Sequence, residues 1–398
     1  MKKVAIVFDG NIVNPKGKVN SIINRIRELK AIADFGIDVF TVQEYDSALL
    51  RMLLKEKKIN RSERINLGGV DMQVIWHKRY FIDWLLSMKF HRKPYRSLGE
   101  AKMLSSFFKD YDLIISHSFY CGNIAWTAHQ LYGVPYVTNW HGSEIHTQPF
   151  RNPYQRKLTK EILEHAEMNF FVSKSLGEIA TSFAGEIKKD VLYNGVSEKF
   201  YQYDSNHKQE LRKQYGAGGC KVVAFVGNLI SIKNPLLLPE IFAKVKSGYG
   251  DNIKFWIVGD GVLRPQLEGE IKRAGLEQLT SFWGNQPFEK MPDIMNCIDV
   301  LVLPSQNESF GMVLVEAMAC GAYAVGSKVG GIPEILGEEN VFELDGNVAQ
   351  SLSIRIIQLL NNTIINDNCT RFQWKDTANH EVKVLRDIIN SRYDSKRS

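Results

Sequence analysis

Two glutamates eight positions apart, Glu308 and Glu316, have the spacing that points most directly to chemistry in this 398-residue chain. They lie in LVLPSQNESFGMVLVEAMACGAYAVGSKVGGIPEI, residues 301–335. An apolar strand expected over 299–304 breaks into a polar turn at Ser305 to Asn307, and helix formers run from Met312 to Cys320. Gly321 supplies the left-handed residue that ends a helix, and 322–327 reads as the next strand. Glu308 thus stands at a helix N-terminus, with Glu316 about two turns further along. The unpaired N–H groups of the first turn, including those around Ser309, Phe310, Gly311, Met312 and Val313, favour an anion together with the helix dipole. Gly311 lets a ligand approach the backbone closely. Such an element holds a phosphate at one end while two carboxylates accept hydrogen bonds from hydroxyl groups. Glutamate pairs at this spacing also arise by chance on solvated helices. Pro304-Ser305 before this pair and Gly330-Gly331-Ile332-Pro333-Glu334 after it set it apart.

Three other positions carry chemical potential. His141 follows a buried strand in VPYVTNWHGSEIHT, residues 134–147. A lone histidine there is most often structural, yet its imidazole can hydrogen-bond a hydroxyl and orient a reacting centre. Lys233 follows the strand VVAFVGNL and precedes Asn234-Pro235; a solvated loop lysine is the plain alternative. Residues 9–18, with Gly10 and Gly17, form a loop before a helix that starts near Val19, which suits either a diphosphate or an ordinary strand-to-helix turn. Gly259-Asp260-Gly261 is weak evidence for a dinucleotide fold, since the third glycine is missing.

These residues need rigid supports, and the pattern supplies them. Strand-like runs occur at 4–8, 39–42, 113–116, 136–139, 169–173 and 191–193, then at 222–227, 253–259, 280–283, 300–304 and 322–327. Helical periodicity separates many of them, as at 21–35, 153–167 and 235–247. The alternation predicts α/β architecture with two parallel sheets wound by helices, whose ligands bind outside the carboxyl ends of strands. The polar stretch 201–219 reads as the connection between domains, placing them at 1–200 and 201–375. A helix over 376–398 has Val382, Leu385 and Ile389 on one face.

Composition excludes several classes. An apolar fraction of 44% and a charged fraction of 24% are those of a water-soluble globular chain. No apolar run approaches a membrane span, and the five apolar residues before Asp9 are too few for a secretion signal. The cysteines at 121, 220, 297, 320 and 369 are scattered and odd in number, which suits reduced thiols in the cytoplasm rather than zinc. No metal ligand set is expected. Residues 1–200 hold 29 lysines and arginines against 21 acids; residues 201–398 hold 21 against 23. The excess gathers at 51–64 and at 77–96, where lysines and arginines interleave with Tyr80, Phe81, Trp84 and Phe90. The second stretch suits either an anionic membrane surface or a solvated helix face over a core. Nucleic acid is a poor fit, because no recognition motif accompanies the charge.

The ensemble of motifs resembles the retaining glycosyltransferases of family 4. The E-x7-E pair with its flanks matches that family, as does HGSE at 141–144 its H-G-[ST]-[DE] loop. Leu192 to Val196 matches Y-N-G-V, 257–261 matches V-G-[DE]-G, and Phe372-Gln373-Trp374 matches F-x-W. Gly17, twelve residues before Leu29, matches the second glycine of a Gly-Gly pair, with Lys16 in the first glycine's place. The family's G-R-L-x-x-x-K-G is met by Lys233, but Asn228 stands where the arginine belongs; it can donate hydrogen bonds and brings no charge. Lys16, Lys18 and Arg264 are candidate replacements.

The resemblance implies a GT-B fold, two Rossmann-like domains facing a cleft, with the last helix crossing back to the first domain. It implies transfer of a hexose-type sugar from a nucleotide diphosphate sugar, without metal or further cofactor, to a lipid-linked or growing surface glycan. His141 and Glu308 would meet the transferred sugar, Lys233 the diphosphate and Glu316 the ribose. Glu144 would be structural or acceptor-side, and the loop 283–286 would lie beside the base. The enzyme would be cytoplasmic, peripheral on the inner face of the plasma membrane. GT-B phosphorylases, sugar-nucleotide epimerases and a non-catalytic glycan-binding subunit are the alternatives.

Overall fold

The apolar runs build two separate parallel sheets, each buried on both faces by helices, as near-continuous Val, Ile, Leu and Phe strands require. The computed structural model describes residues 2–12, 17–54, 61–79, 95–361 and 372–395. The chain divides into one compact unit of Met1–Tyr193 with Trp374–Ser398, and a second of Asn194–Gln373. Asn194-Gly195, a turn dipeptide, opens the second unit.

The first unit holds β1 (Lys3–Asp9), β2 (Gly36–Asp46), β3 (Arg64–Leu67), β4 (Val70–Arg79), β5 (Leu113–His117), β6 (Tyr136–Trp140), β7 (Met168–Phe171) and β8 (Lys189–Val191). They lie in the order β3-β4-β2-β1-β5-β6-β7-β8, parallel except for the β3–β4 pair. That hairpin turns on Gly68 and Gly69, both at positive φ, the conformation a two-residue turn between twisted strands demands. It lies in the stretch that carries least family likeness and was not expected. Each strand anticipated from sequence overlaps an observed one, although β8 shares only Val191 with its expected run.

Helix Lys18–Ile32 packs Ile22, Ile26 and Leu29 on Val4, Ile6 and Phe8 of β1. Val382, Leu385 and Ile389 of helix Trp374–Ser395 complete the same core. Between these helices Arg25 Nε donates to Glu381 Oε2 at 2.6 Å, with the side chains 3% and 0% exposed.

The second unit holds β9 (Lys221–Val226), β10 (Ile253–Val258), β11 (Thr280–Gly284), β12 (Val300–Leu303), β13 (Tyr323–Ser327) and β14 (Val341–Phe342), all parallel, in the order β11-β10-β9-β12-β13-β14. The winding reverses between β9 and β12, so the loops leaving these neighbours form the crevice where such sheets take ligands. Helix Met312–Ala319 follows β12 and ends as expected: Gly321 at φ 86° and Ala322 donate back to Met318 and Ala317 across the last turn.

The Arg25–Glu381 pair generates a stability prediction. Arg25→Leu alone leaves a buried carboxylate without its cation and should cost about 3–5 kcal/mol, whereas Arg25→Leu with Glu381→Leu should recover most of it. Denaturant unfolding checks this; additive losses in the double variant would contradict it.

Candidate active site

In the second unit the loops after β9 and β12 are joined. Gln306 N–H donates to the Ile232 carbonyl at 2.8 Å, and beside that bond the Lys233 ammonium is ion-paired with the Glu308 carboxylate. Their side chains are 23% and 14% exposed, so both charges are largely withdrawn from water. Glu308 is held from behind by its own backbone: its carbonyl accepts the Gly331 N–H at 2.9 Å. Gly330 touches that carbonyl so closely that a Cβ there would stand 1.8 Å from it, and its φ is +53°. The Gly-Gly flank read from sequence is thus the wrap that seats Glu308. Gly311, at φ 104°, lets the chain turn from Glu308 into the helix, and buried Phe310 packs edge-on against Phe372 at 5.6 Å.

Glu316 stands half-buried on that helix, and Ser309, Met312 and Val313 are half-buried beside it. Among the described residues the Glu316 carboxyl has no hydrogen-bond or ion-pair partner, and burial pushes it up to about 8. Asn228 is exposed on the β9 loop. Gly259 and Gly261 explain themselves by packing: Cβ atoms there would lie 2.0 and 2.4 Å from the carbonyls of Gly227 and Leu229. The Gly-Asp-Gly therefore presses the β10 loop onto the loop that leads to Lys233. Arg264 is bound to Asp260 at 2.9 Å and Glu268 at 2.8 Å, so its charge is already matched. Lys16 lies outside the described residues.

In the first unit, Gly17 begins helix Lys18–Ile32 at φ 40° and is exposed. Lys18 Nζ lies 3.5 Å from Asp9 and 3.7 Å from Glu144, which raises its pKa despite burial. Glu144, buried in the HGSE loop, is thereby a tether between that loop and the first helix. His141 faces a residue that the sequence reading passed over: its Nε2 is 3.1 Å from Nδ1 of His117. The available signal was the polar His117 closing an apolar strand, since the expected strand stopped one residue short.

The basic stretch needs one correction. His77, its first member, is buried and lies 2.5 Å from Glu100 and 3.5 Å from Glu44, so it belongs to the interior rather than to a cationic face. Despite burial, those carboxylates push it up to about 9. Residues 80–94, with Tyr80, Phe81, Trp84 and Phe90, lie outside the described residues. Among the described residues no helix is long and apolar enough to cross a membrane.

Glu316 generates a pH prediction. Its folded pKa lies above the ordinary 4.5, so the folded chain holds the extra proton between about 4.5 and 8 and loses stability as pH rises through that window. Glu316→Gln should therefore raise the melting point at pH 8.5 and leave it nearly unchanged at pH 4.5, by about 2–4 °C for each kcal/mol recovered. A shift independent of pH would contradict the buried-acid reading.

Comparison with known proteins bears on the family and the fold of the chain. The family description "Glycosyl transferases group 1" matches residues 207–375, and "Glycosyltransferase Family 4" matches residues 74–200. Among relatives, a D-inositol 3-phosphate glycosyltransferase of Corynebacterium urealyticum is 27% identical over 306 residues, covering 70% of this chain and 72% of that protein. An N-acetyl-alpha-D-glucosaminyl L-malate synthase of Bacillus anthracis is 29% identical, covering 62% and 65%. A putative teichuronic acid biosynthesis glycosyltransferase of Bacillus subtilis is 25% identical, covering 82% and 81%. Among solved structures, sucrose-phosphate synthase from Thermosynechococcus elongatus superposes with a TM-score of 0.74 at 18% identity over 98% of this chain and 100% of that one. Anabaena HepE in complex with UDP and glucose does so with 0.66 at 20% identity, over 98% of both chains. The chain belongs to glycosyltransferase family 4: it is a glycosyltransferase of GT-B fold.

Proposed function

We propose that this enzyme transfers a hexose-type sugar, with retention of anomeric configuration, from a nucleotide diphosphate sugar to a lipid-linked or growing surface glycan. The observation that carries the donor half is the Lys233–Glu308 pair at the switch point of the second sheet. Before donor binds, each charge satisfies the other. When a diphosphate enters, Lys233 exchanges the carboxylate for phosphate oxygens, and Glu308 is released to accept hydrogen bonds from sugar hydroxyls. The N–H groups of Phe310, Gly311 and Met312 at the helix tip add dipole to Lys233, so charge on the departing diphosphate is stabilised where it develops. Ser309 and Val313 border the same tip. Asn228 donates neutral hydrogen bonds only, which leaves Lys233 as the principal charge in this loop.

Glu316 is the ribose acceptor in this reading. A carboxyl held protonated near neutrality becomes ionised when two hydroxyls donate to it, so nucleotide binding releases a proton below pH 8. His141, from the first unit, takes the transferred sugar, and Gly17 leaves backbone room for the diphosphate. No metal or further cofactor enters. The complex of HepE with UDP and glucose supports a nucleotide sugar as donor, and the teichuronic acid relative supports a glycan acceptor. Contact with an anionic membrane, through the basic stretch that follows His77 up to residue 96, would bring a lipid-linked acceptor to a cytoplasmic enzyme. A second acceptor class also has support: the inositol phosphate and malate named for two relatives are small anions. The basic excess of residues 1–200 would attract either kind.

Calorimetry separates the two glutamates. Glu316→Ala should weaken UDP binding about tenfold or more, as expected for loss of a charge-assisted pair, and abolish proton release on binding. Glu308→Ala should bind UDP as well as wild type while turnover of the UDP-sugar falls by about a hundredfold. Wild-type protein with no affinity for any nucleotide in a panel of UDP, GDP and ADP sugars would remove the proposal.

A further inference from the structure

His117 closes β5, and His141 stands immediately past β6, its parallel neighbour, in which Asn139 is the register partner of His117. The two imidazoles lie within 18° of parallel with centroids 5.3 Å apart, and His117 Nδ1 is 3.1 Å from His141 Nε2. His117 is 1% exposed, so it cannot reach a ligand itself. Burial lowers the pKa of both rings, and the positive charges of Lys18 and Arg25 push in the same direction. Both are neutral at physiological pH. Two neutral imidazoles share a hydrogen bond only if one facing nitrogen carries its proton and the other is bare. The tautomers are therefore coupled. An isolated neutral histidine side chain prefers the proton on Nε2, and here both rings satisfy that preference together: His141 Nε2–H donates to the bare His117 Nδ1. The nitrogen of His141 left facing away, Nδ1, is then bare as well.

We propose that His117 is a positioning residue, which accepts the Nε2–H of His141, fixes its ring plane and tautomer, and so presents His141 Nδ1 as an acceptor for a hydroxyl of the transferred sugar. This rests on the reading of His141 as the residue that meets that sugar. No proton changes owner along the pair; the buried ring holds the working ring in the one state that can receive a hydroxyl hydrogen bond. The strand register supplies the rigidity. β5 and β6 fix the two backbones, and the Lys18 bridge to Glu144 ties down the loop that begins at His141.

The test combines ring-nitrogen NMR of the 15N-histidine-labelled full-length enzyme with donor kinetics. In wild type, His141 should be a single Nε2–H tautomer. His117→Leu should give a mixture of His141 tautomers and lower kcat about tenfold, as loss of one hydrogen bond would, with the KM for donor unchanged. His117→Asn, whose Oδ1 falls near the lost Nδ1, should restore the single tautomer and most of kcat. Finding the Nδ1–H form in wild type overturns the proposal without need of any variant. An unaltered His141 tautomer in His117→Leu, or equal impairment of the Leu and Asn variants, overturns it at the imidazole pair. A freed tautomer in His117→Leu, with turnover undiminished both there and in His141→Ala, overturns it at the sugar contact, and the reading of His141 falls with it.

Discussion

An ammonium and a carboxylate held against each other at the carboxyl edge of the second sheet constrain everything around them. Lys233 and Glu308 are 75 residues apart, and only the adjacency of β9 and β12 brings their loops side by side. Largely removed from water, neither charge could stand alone without a desolvation cost of several kcal/mol. The loops that carry them must also approach at backbone distance, which accounts for the glycines. Gly259 and Gly261 seat the β10 loop on the β9 loop, and Gly330 seats the turn after β13 on Glu308. A side chain at any of these points would push one half of the pair from the other. The glycine motifs of this unit are therefore largely statements about close approach around the Lys233–Glu308 pair.

The first unit solves a different electrostatic problem. Its polar centre must keep imidazoles neutral in the presence of fixed cations. Arg25 is neutralised by Glu381 in the closing helix, and Lys18 by Asp9 and Glu144. The residual positive field acts on His117 and His141, and it reinforces burial. Neutral rings can act as hydrogen-bond acceptors toward an uncharged hydroxyl, which a protonated ring cannot. The terminal helix matters here for more than core area: without Glu381 the Arg25 charge would lie unopposed near the histidine pair.

Much of this was legible in the sequence because the signals were local. Apolar runs mark buried parallel strands, and Gly321 ended its helix where glycine at that place must. Glu308 and Lys233 were found through the patterns around them. The remainder depended on contacts that sequence does not order. The β3–β4 hairpin was signalled by Gly68-Gly69 alone, in a stretch with weak periodicity. His77 looked like part of a basic face because its partners, Glu44 and Glu100, come from distant elements. Arg264 looked available as a cation until Asp260 and Glu268 were seen to hold it. His117 was missed for the same reason: its significance lies in the strand register that sets it beside His141.

The claim that the donor exchanges places with Glu308 on Lys233 is tested most directly by measuring UDP dissociation constants for Lys233→Met and Glu308→Gln against wild type. Removing the cation should weaken UDP by about tenfold or more, as loss of a charged hydrogen-bonding partner does. Neutralising the carboxylate frees the lysine and should leave UDP binding unchanged or tighter. Equal weakening by both substitutions, or no effect from either, would contradict the exchange.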